Sequence, residues 1–227
     1  MKKKLLSICI CLLSIFMLVA CANKQEETNT ISEIKNKDDD CKNQATIDKP
    51  VIYLYPEEET EVSVNVTLNG KLTCTYPKYN NGWTVTANPD GTLTDKHGMN
   101  YNYLYWEGET DTQFDFSTGY CVKGSESAEF LENELAKQGL NRKEANEFIT
   151  FWLPQMEQNK YNIISFQKET YTNDAKLTVT QNPDTIIRVF MAFKPSNKYV
   201  KIPAPKETET PQRNGFTLVE WGGSKIN

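Results

Sequence analysis

Residues 61–106 read EVSVNVTLNGKLTCTYPKYNNGWTVTANPDGTLTDKHGMNYNYLYW. Val62, Val64, Val66 and Leu68 alternate with Ser63, Asn65 and Thr67, and Leu72, Cys74 and Tyr76 alternate with Lys71, Thr73 and Thr75. A period of two is the pattern of a strand with one buried face. A two-residue Asn69-Gly70 turn would set Val66 opposite Thr73 and mix the faces. A three-residue loop with Gly70 as a left-handed bulge residue pairs Val66 with Leu72 and Val64 with Cys74. The sequence therefore predicts a hairpin here, with Cys74 facing the core.

The same parity extends downstream. Pro89-Asp90-Gly91 suits a type I turn closed by a left-handed glycine, and it sets Ala87 against Leu93. Lys96-His97-Gly98 repeats the device and sets Leu93 against Tyr101. Trp83, Val85, Ala87, Leu93, Tyr101, Tyr103 and Tyr105 then share one face of a β-meander. The other face is mostly polar but ends in Leu104 and Trp106, which a later element covers or which form an exposed apolar edge.

Outward from the meander, Pro50 to Pro56 is a short apolar strand fenced by prolines. A helical hairpin is expected over about 125–158. Ser125 starts the first helix, Ala128, Leu131 and Leu135 form its apolar stripe, and Gly139 stops it in a Schellman motif. Asn141 to Glu144 is a capping box for the second helix, whose buried side is Ala145, Phe148, Ile149, Trp152 and Leu153 and which Pro154 ends or kinks. Tyr161 to Phe166, Leu177 to Val179, Ile186 to Phe193 and Phe216 to Trp221 read as further strands, the third apolar enough for a central position. Residues 194–213 carry four prolines and read as a long surface loop. The fold class is α+β: an antiparallel meander, a helical hairpin and C-terminal strands.

The N-terminus has another character. Lys2-Lys3-Lys4 precede an apolar run from Leu5 to Ala20 and then Cys21, the layout of a cleaved leader. Leu18-Val19-Ala20-Cys21 resembles the lipobox of bacterial lipoprotein precursors. That resemblance implies cleavage before Cys21, acylation of its sulfur, and a chain anchored in the lipid bilayer at the extracytoplasmic face of the membrane. Losing the leader removes three lysines and no acid, so the formal charge moves from −5 to −8. That balance argues against nucleic acid as a partner. Residues 22–48 are polar and aperiodic and read as a disordered tether spanning ~30 Å, leaving one domain from Lys49 onward.

Three cysteines then remain, Cys41, Cys74 and Cys121. Cys74 with Cys121 is the pair favoured if a disulfide forms, and two buried free thiols are the alternative. Their spacing fits no zinc site, and a single histidine, His97, sits in a turn with no nucleophile motif near it. No metal or cofactor is expected.

Three features could carry function. Glu107, Glu109, Asp111 and Asp115 could supply carboxylate pairs for a hydrolase or lyase, or simply be a solvated loop. Trp106 and Tyr79 are the aromatics left for a ligand platform once parity buries the others. Arg188 interrupts an apolar strand and needs an anionic partner, for which Glu220 is the candidate; it is either a structural ion pair or a carboxylate-binding arginine in a pocket.

The segments PVIYLYP at 50–56, TYPKYNNGW at 75–83, NPDG at 88–91, YNYLYWEG at 101–108, WLPQMEQNKYN at 152–162, PDTIIRV at 183–189 and VEWGG at 219–223 together resemble a family of uncharacterised bacterial secreted proteins and lipoproteins. The likeness covers nearly all of the chain from Lys49 and implies no activity. The expectation is an anchored, non-enzymatic module binding protein, peptide or glycan, with a carboxylate-dependent hydrolase or lyase acting on surface glycan or peptide as the alternative.

Overall fold

The computed structural model describes residues 44–226. The leader, the lipobox with Cys21, Cys41 and most of the expected tether lie outside these residues. In chain order the strands are β1 (Ala45–Tyr55), β2 (Thr60–Leu68), β3 (Gly70–Tyr76), β4 (Trp83–Ala87), β5 (Leu93–Thr94), β6 (Asn100–Tyr101), β7 (Leu104–Thr110) and β8 (Tyr120–Lys123). After them come α1 (Ser127–Lys137), α2 (Arg142–Met156), β9 (Tyr161–Gln167), α3 (Glu169–Asp174), β10 (Ala175–Val179), β11 (Thr185–Ser196) and β12 (Thr217–Lys225). The fold is α+β. β1 begins four residues before the expected domain start, because Ile47 is an apolar strand residue and is fully buried.

Two sheets form, with orders β3-β7-β1-β12-β11-β9-β8 and β10-β2-β4-β5-β6. One core lies between them: Ile52, Leu54, Leu104, Trp106, Phe190 and Leu218 from the larger sheet meet Val62, Val64, Trp83, Val85 and Leu93 from the smaller. A second core lies on the other face of the larger sheet, where Tyr53, Met191, Phe193 and Trp221 meet Leu131, Leu135, Phe148 and Trp152 of α1 and α2. The molecule is thus three layers, sheet on sheet on helices.

The expected β2–β3 hairpin does not form. β2 pairs with β4 and β10, and β3 pairs with β7 in the other sheet. Period-two alternation fixes which side chains share a face, and it does not choose the partner strand. Gly70 is needed for close approach rather than for a left-handed φ, since a Cβ there would sit 2.0 Å from the Glu109 carbonyl oxygen. As an edge strand β3 leaves Cys74 exposed.

The two downstream turns match the sequence reading. Gly91 and Gly98 have φ +87 and +78, and Ala87 pairs with Leu93 and Leu93 with Tyr101. Between Tyr101 and Leu104 the chain then crosses into the larger sheet, which reverses the expected facing. Leu104 and Trp106 enter the inter-sheet core, while Tyr103 and Tyr105 pack on the helical side. Lys49, at a bulge interrupting both ladders of β1, has φ +63 and places Nζ 3.3 Å from the Tyr103 hydroxyl.

The helical hairpin is present, with its start displaced. A 3-10 turn at Gly124–Glu126 replaces the expected Ser125 cap. The Schellman bonds run from Leu140 N–H to the Leu135 carbonyl and from Gly139 N–H to the Ala136 carbonyl. The capping box of Asn141 and Glu144 is complete, and α2 continues two residues past Pro154. Arg213 ties the proline-rich loop to this junction, donating to the Gly139 carbonyl at 2.8 Å and to Glu144.

β11 and β12 lie side by side, parallel, in the middle of the larger sheet. Their register sets Arg188 opposite Glu220 and Ile186 opposite Leu218.

Candidate binding cleft around Arg188

Arg188 shares its face of β11 with Phe190, and Glu220 shares its face of β12 with Leu218, so both charges point between the sheets. The Arg188 side chain is 9 % exposed and that of Glu220 is fully buried. Arg188 Nε donates to Glu220 Oε2 at 2.6 Å, and the Trp106 indole N–H donates to Oε1 at 3.2 Å. Both carboxylate oxygens are thereby satisfied. Burial is the largest single influence on Arg188 and opposes its charge, but Glu220 and Tyr171 together outweigh it and hold the guanidinium above its ordinary pKa.

Tyr171, from α3, closes the remaining side. Its ring stacks on Phe190 at 4.1 Å and lies 4.8 Å from the guanidinium carbon, within cation–π range. Burial, then the nearby Glu220 charge, pushes its phenol well above the usual range, so it remains protonated. The Tyr171 hydroxyl and Arg188 Nη2 are buried, and neither makes a hydrogen bond of good geometry among the described residues, although the phenol lies close enough to Arg188 and Glu220 to influence their charges. Buried polar groups without a well-made partner are costly and call for an explanation.

Arg188 also lines two adjoining clefts. One, of about 390 Å³, opens between β10 and β11 and includes Lys176, Leu177, Val179 and Leu218. The other, of about 370 Å³, lies between α3 and the proline-rich loop and includes Lys168, Thr208 and Pro211. Thr172, Ile186 and Arg188 belong to both, so they form the ridge between them. Ile186 is 57 % exposed, an apolar side chain left standing at the mouth of both clefts. No acidic residue lines the first cleft.

The other residues singled out in the sequence have different roles. Trp106 is fully buried, because the chain crossing after Tyr101 turns it inward, and it serves Glu220 rather than a ligand. Tyr79 is half-buried against Trp83, and its hydroxyl both accepts from Val66 N–H and donates to the Val66 carbonyl. It fills the place in the ladder beside β2 just before β4 begins, so it too is structural.

The four acids do not converge. Glu107 and Glu109 lie along β7, opposite Cys74 and Lys71. Asp111 accepts from Gln44 at 3.2 Å. Asp115 accepts from the backbone and hydroxyl of Ser117, and these bonds hold its carboxyl below the usual range. Among the described residues no three His, Cys, Asp or Glu side chains are placed to hold a metal ion.

Cys74 and Cys121 are free thiols. They sit on the two outermost strands of the larger sheet, six strand spacings apart, or about 29 Å, where a disulfide needs Cα atoms within about 7 Å. Cys121 instead accepts the Val200 N–H at 3.3 Å.

Sequence reading found Arg188 and Glu220, since a charge in an apolar run demands a partner. It missed Tyr171 and Lys168, because α3 is only six residues long and carries no periodic apolar stripe.

The chain is similar to a described bacterial protein. Over 64 residues it is 52 % identical to the "Uncharacterized protein in bglA 3'region" of Butyrivibrio fibrisolvens, a match that covers 27 % of this chain and 66 % of that protein, just under two thirds of its length. No family model matches the chain. No solved structure matches it either.

Proposed function

We propose that this chain is a lipid-anchored, extracytoplasmic binding module of the secreted-protein and lipoprotein kind, acting without catalysis, and that it takes a carboxylate-bearing ligand at the Arg188 cleft. The observation that carries the reading is the buried Arg188 Nη2, which has no hydrogen-bond partner among the described residues beside a cleft of ligand size. Glu220, itself held by Trp106, fixes the guanidinium through Nε and leaves Nη2 to pair with an anion. Lys176 adds positive charge to the cleft between β10 and β11, which no acid lines, whereas the second cleft carries Glu169 and Glu209 beside Lys168. The acids in the sequence are dispersed, and nothing in their geometry favours the hydrolase or lyase reading. The lipobox-like segment ending at Cys21 supports the anchor.

Succinate is a suitable probe for the cleft. A calorimetric titration is expected to show binding that is lost by about tenfold or more in the double variant Arg188→Gln, Glu220→Gln, since one charge-assisted hydrogen bond contributes about 1.5–3 kcal/mol. The double variant keeps a neutral, hydrogen-bonded pair and therefore its fold. Equal binding by both proteins would refute the cleft. The anchor has its own check: Cys21→Ala in the producing cell is expected to abolish incorporation of labelled fatty acid and to move the protein out of the membrane fraction. Retention of label would contradict it.

A further inference from the structure

β10 has one neighbour, β2, and forms an edge of the smaller sheet. Asn69 N–H donates to the Asp174 carbonyl and Thr180 N–H to the Ser63 carbonyl. In an antiparallel ladder the inward-bonded residues alternate. Even-numbered residues of β10 therefore bond to β2, and Leu177 and Val179 direct their N–H and C=O groups away from it. Among the described residues no strand takes up those groups. They face the 390 Å³ cleft whose far wall carries Ile186, Arg188 and Leu218. Natural proteins usually block such an edge with charge, proline or a covering segment. Here the single charge on it is Lys176, which has the same sign as Arg188.

The cleft thus offers three things at once: an open row of backbone hydrogen-bonding groups, apolar walls from Leu177, Val179 and Leu218, and an arginine paired through Nε whose Nη2 has no partner among the described residues. Resting on the carboxylate reading above, we infer that the ligand is an extended peptide that adds antiparallel to β10 and presents its C-terminal carboxylate to Arg188. The direction follows from placement. Tyr171, against Arg188, precedes β10, while Asn182 and Pro183, which also line the cleft, follow it. A strand running antiparallel to β10 ends where β10 begins, at Arg188. Five residues of β10 give it about 17 Å of edge, main-chain bonds supply affinity, and alternate side chains meet the apolar wall.

The probe is an alternating valine–threonine hexapeptide with a free C-terminal carboxylate, titrated into the protein in detergent and compared with its carboxamide. The acid is expected to bind and the carboxamide to bind about tenfold or more weaker. Val179→Pro removes an N–H that has no partner in the free protein, at a position an edge strand tolerates. It is expected to abolish peptide binding. A hexapeptide N-methylated at alternate residues makes the same test from the ligand side should the variant fail to fold, and one of its two registers is expected not to bind. Succinate binding without peptide binding would overturn strand addition and leave the arginine cleft standing. Failure of both would overturn both. Concentration-dependent dimerisation removed by Val179→Pro would show that the edge pairs with a second copy, and would equally overturn the peptide.

Discussion

Replacing Arg188 by methionine is expected to cost about 3–5 kcal/mol of folding stability at neutral pH, because it strands a buried carboxylate. Glu220 is fully buried, and with Arg188 gone only the Trp106 indole N–H remains to it. Urea titrations of the variant and the parent at pH 7 check this. Adding Glu220→Gln should recover most of the loss, because the neutral amide is cheaper to bury alone. No recovery would mean that the destabilisation is packing loss and that the ion pair is incidental.

Trp152→Ala is expected to be comparably severe, about 3–5 kcal/mol, through the cavity it opens. Trp152 is fully buried in α2, edge-on to Phe151 and Phe193, and it lies against Gly223, where a Cβ would come within 2.7 Å of its ring. Its indole nitrogen has no hydrogen-bond partner among the described residues. Trp152→Phe therefore removes an unsatisfied donor along with some volume, and should cost much less than alanine. Thermal unfolding of the two variants separates the contributions. If phenylalanine is as damaging as alanine, the N–H is bonded in solution.

The legible parts of the fold are those whose information is local. The turns closed by Gly91 and Gly98 need a positive φ at fixed offsets, and the capping box at Asn141 and Glu144 is complete within four residues. The misread parts depend on contacts distant in sequence. Nothing within residues 61–76 says that β2 and β3 belong to different sheets, since their alternation is satisfied either way. The crossing between Tyr101 and Leu104 then inverts the facing of the residues in β7, which is why Trp106 passed for a surface aromatic and Tyr103 for a neighbour of Trp83 rather than of the helices. Tyr79 misled for a related reason: its hydroxyl completes a ladder thirteen residues away.

The site divides along the same line. A lone arginine in an apolar run announces both its burial and its need for an anion, so Arg188 and Glu220 could be paired on paper. The cleft itself could not, because β10, α3 and the proline-rich loop meet only in the folded chain. What positions the loop is Arg213, bound to the end of one helix and the cap of the next.

The most direct measurement is a crystal structure of the protein grown with succinate. The expected result is one carboxylate within hydrogen-bond distance of Arg188 Nη2, with Nε still bonded to Glu220. A cleft that holds no succinate while Nη2 bonds to the Tyr171 hydroxyl instead would contradict a ligand role for Arg188 and leave it a structural ion pair.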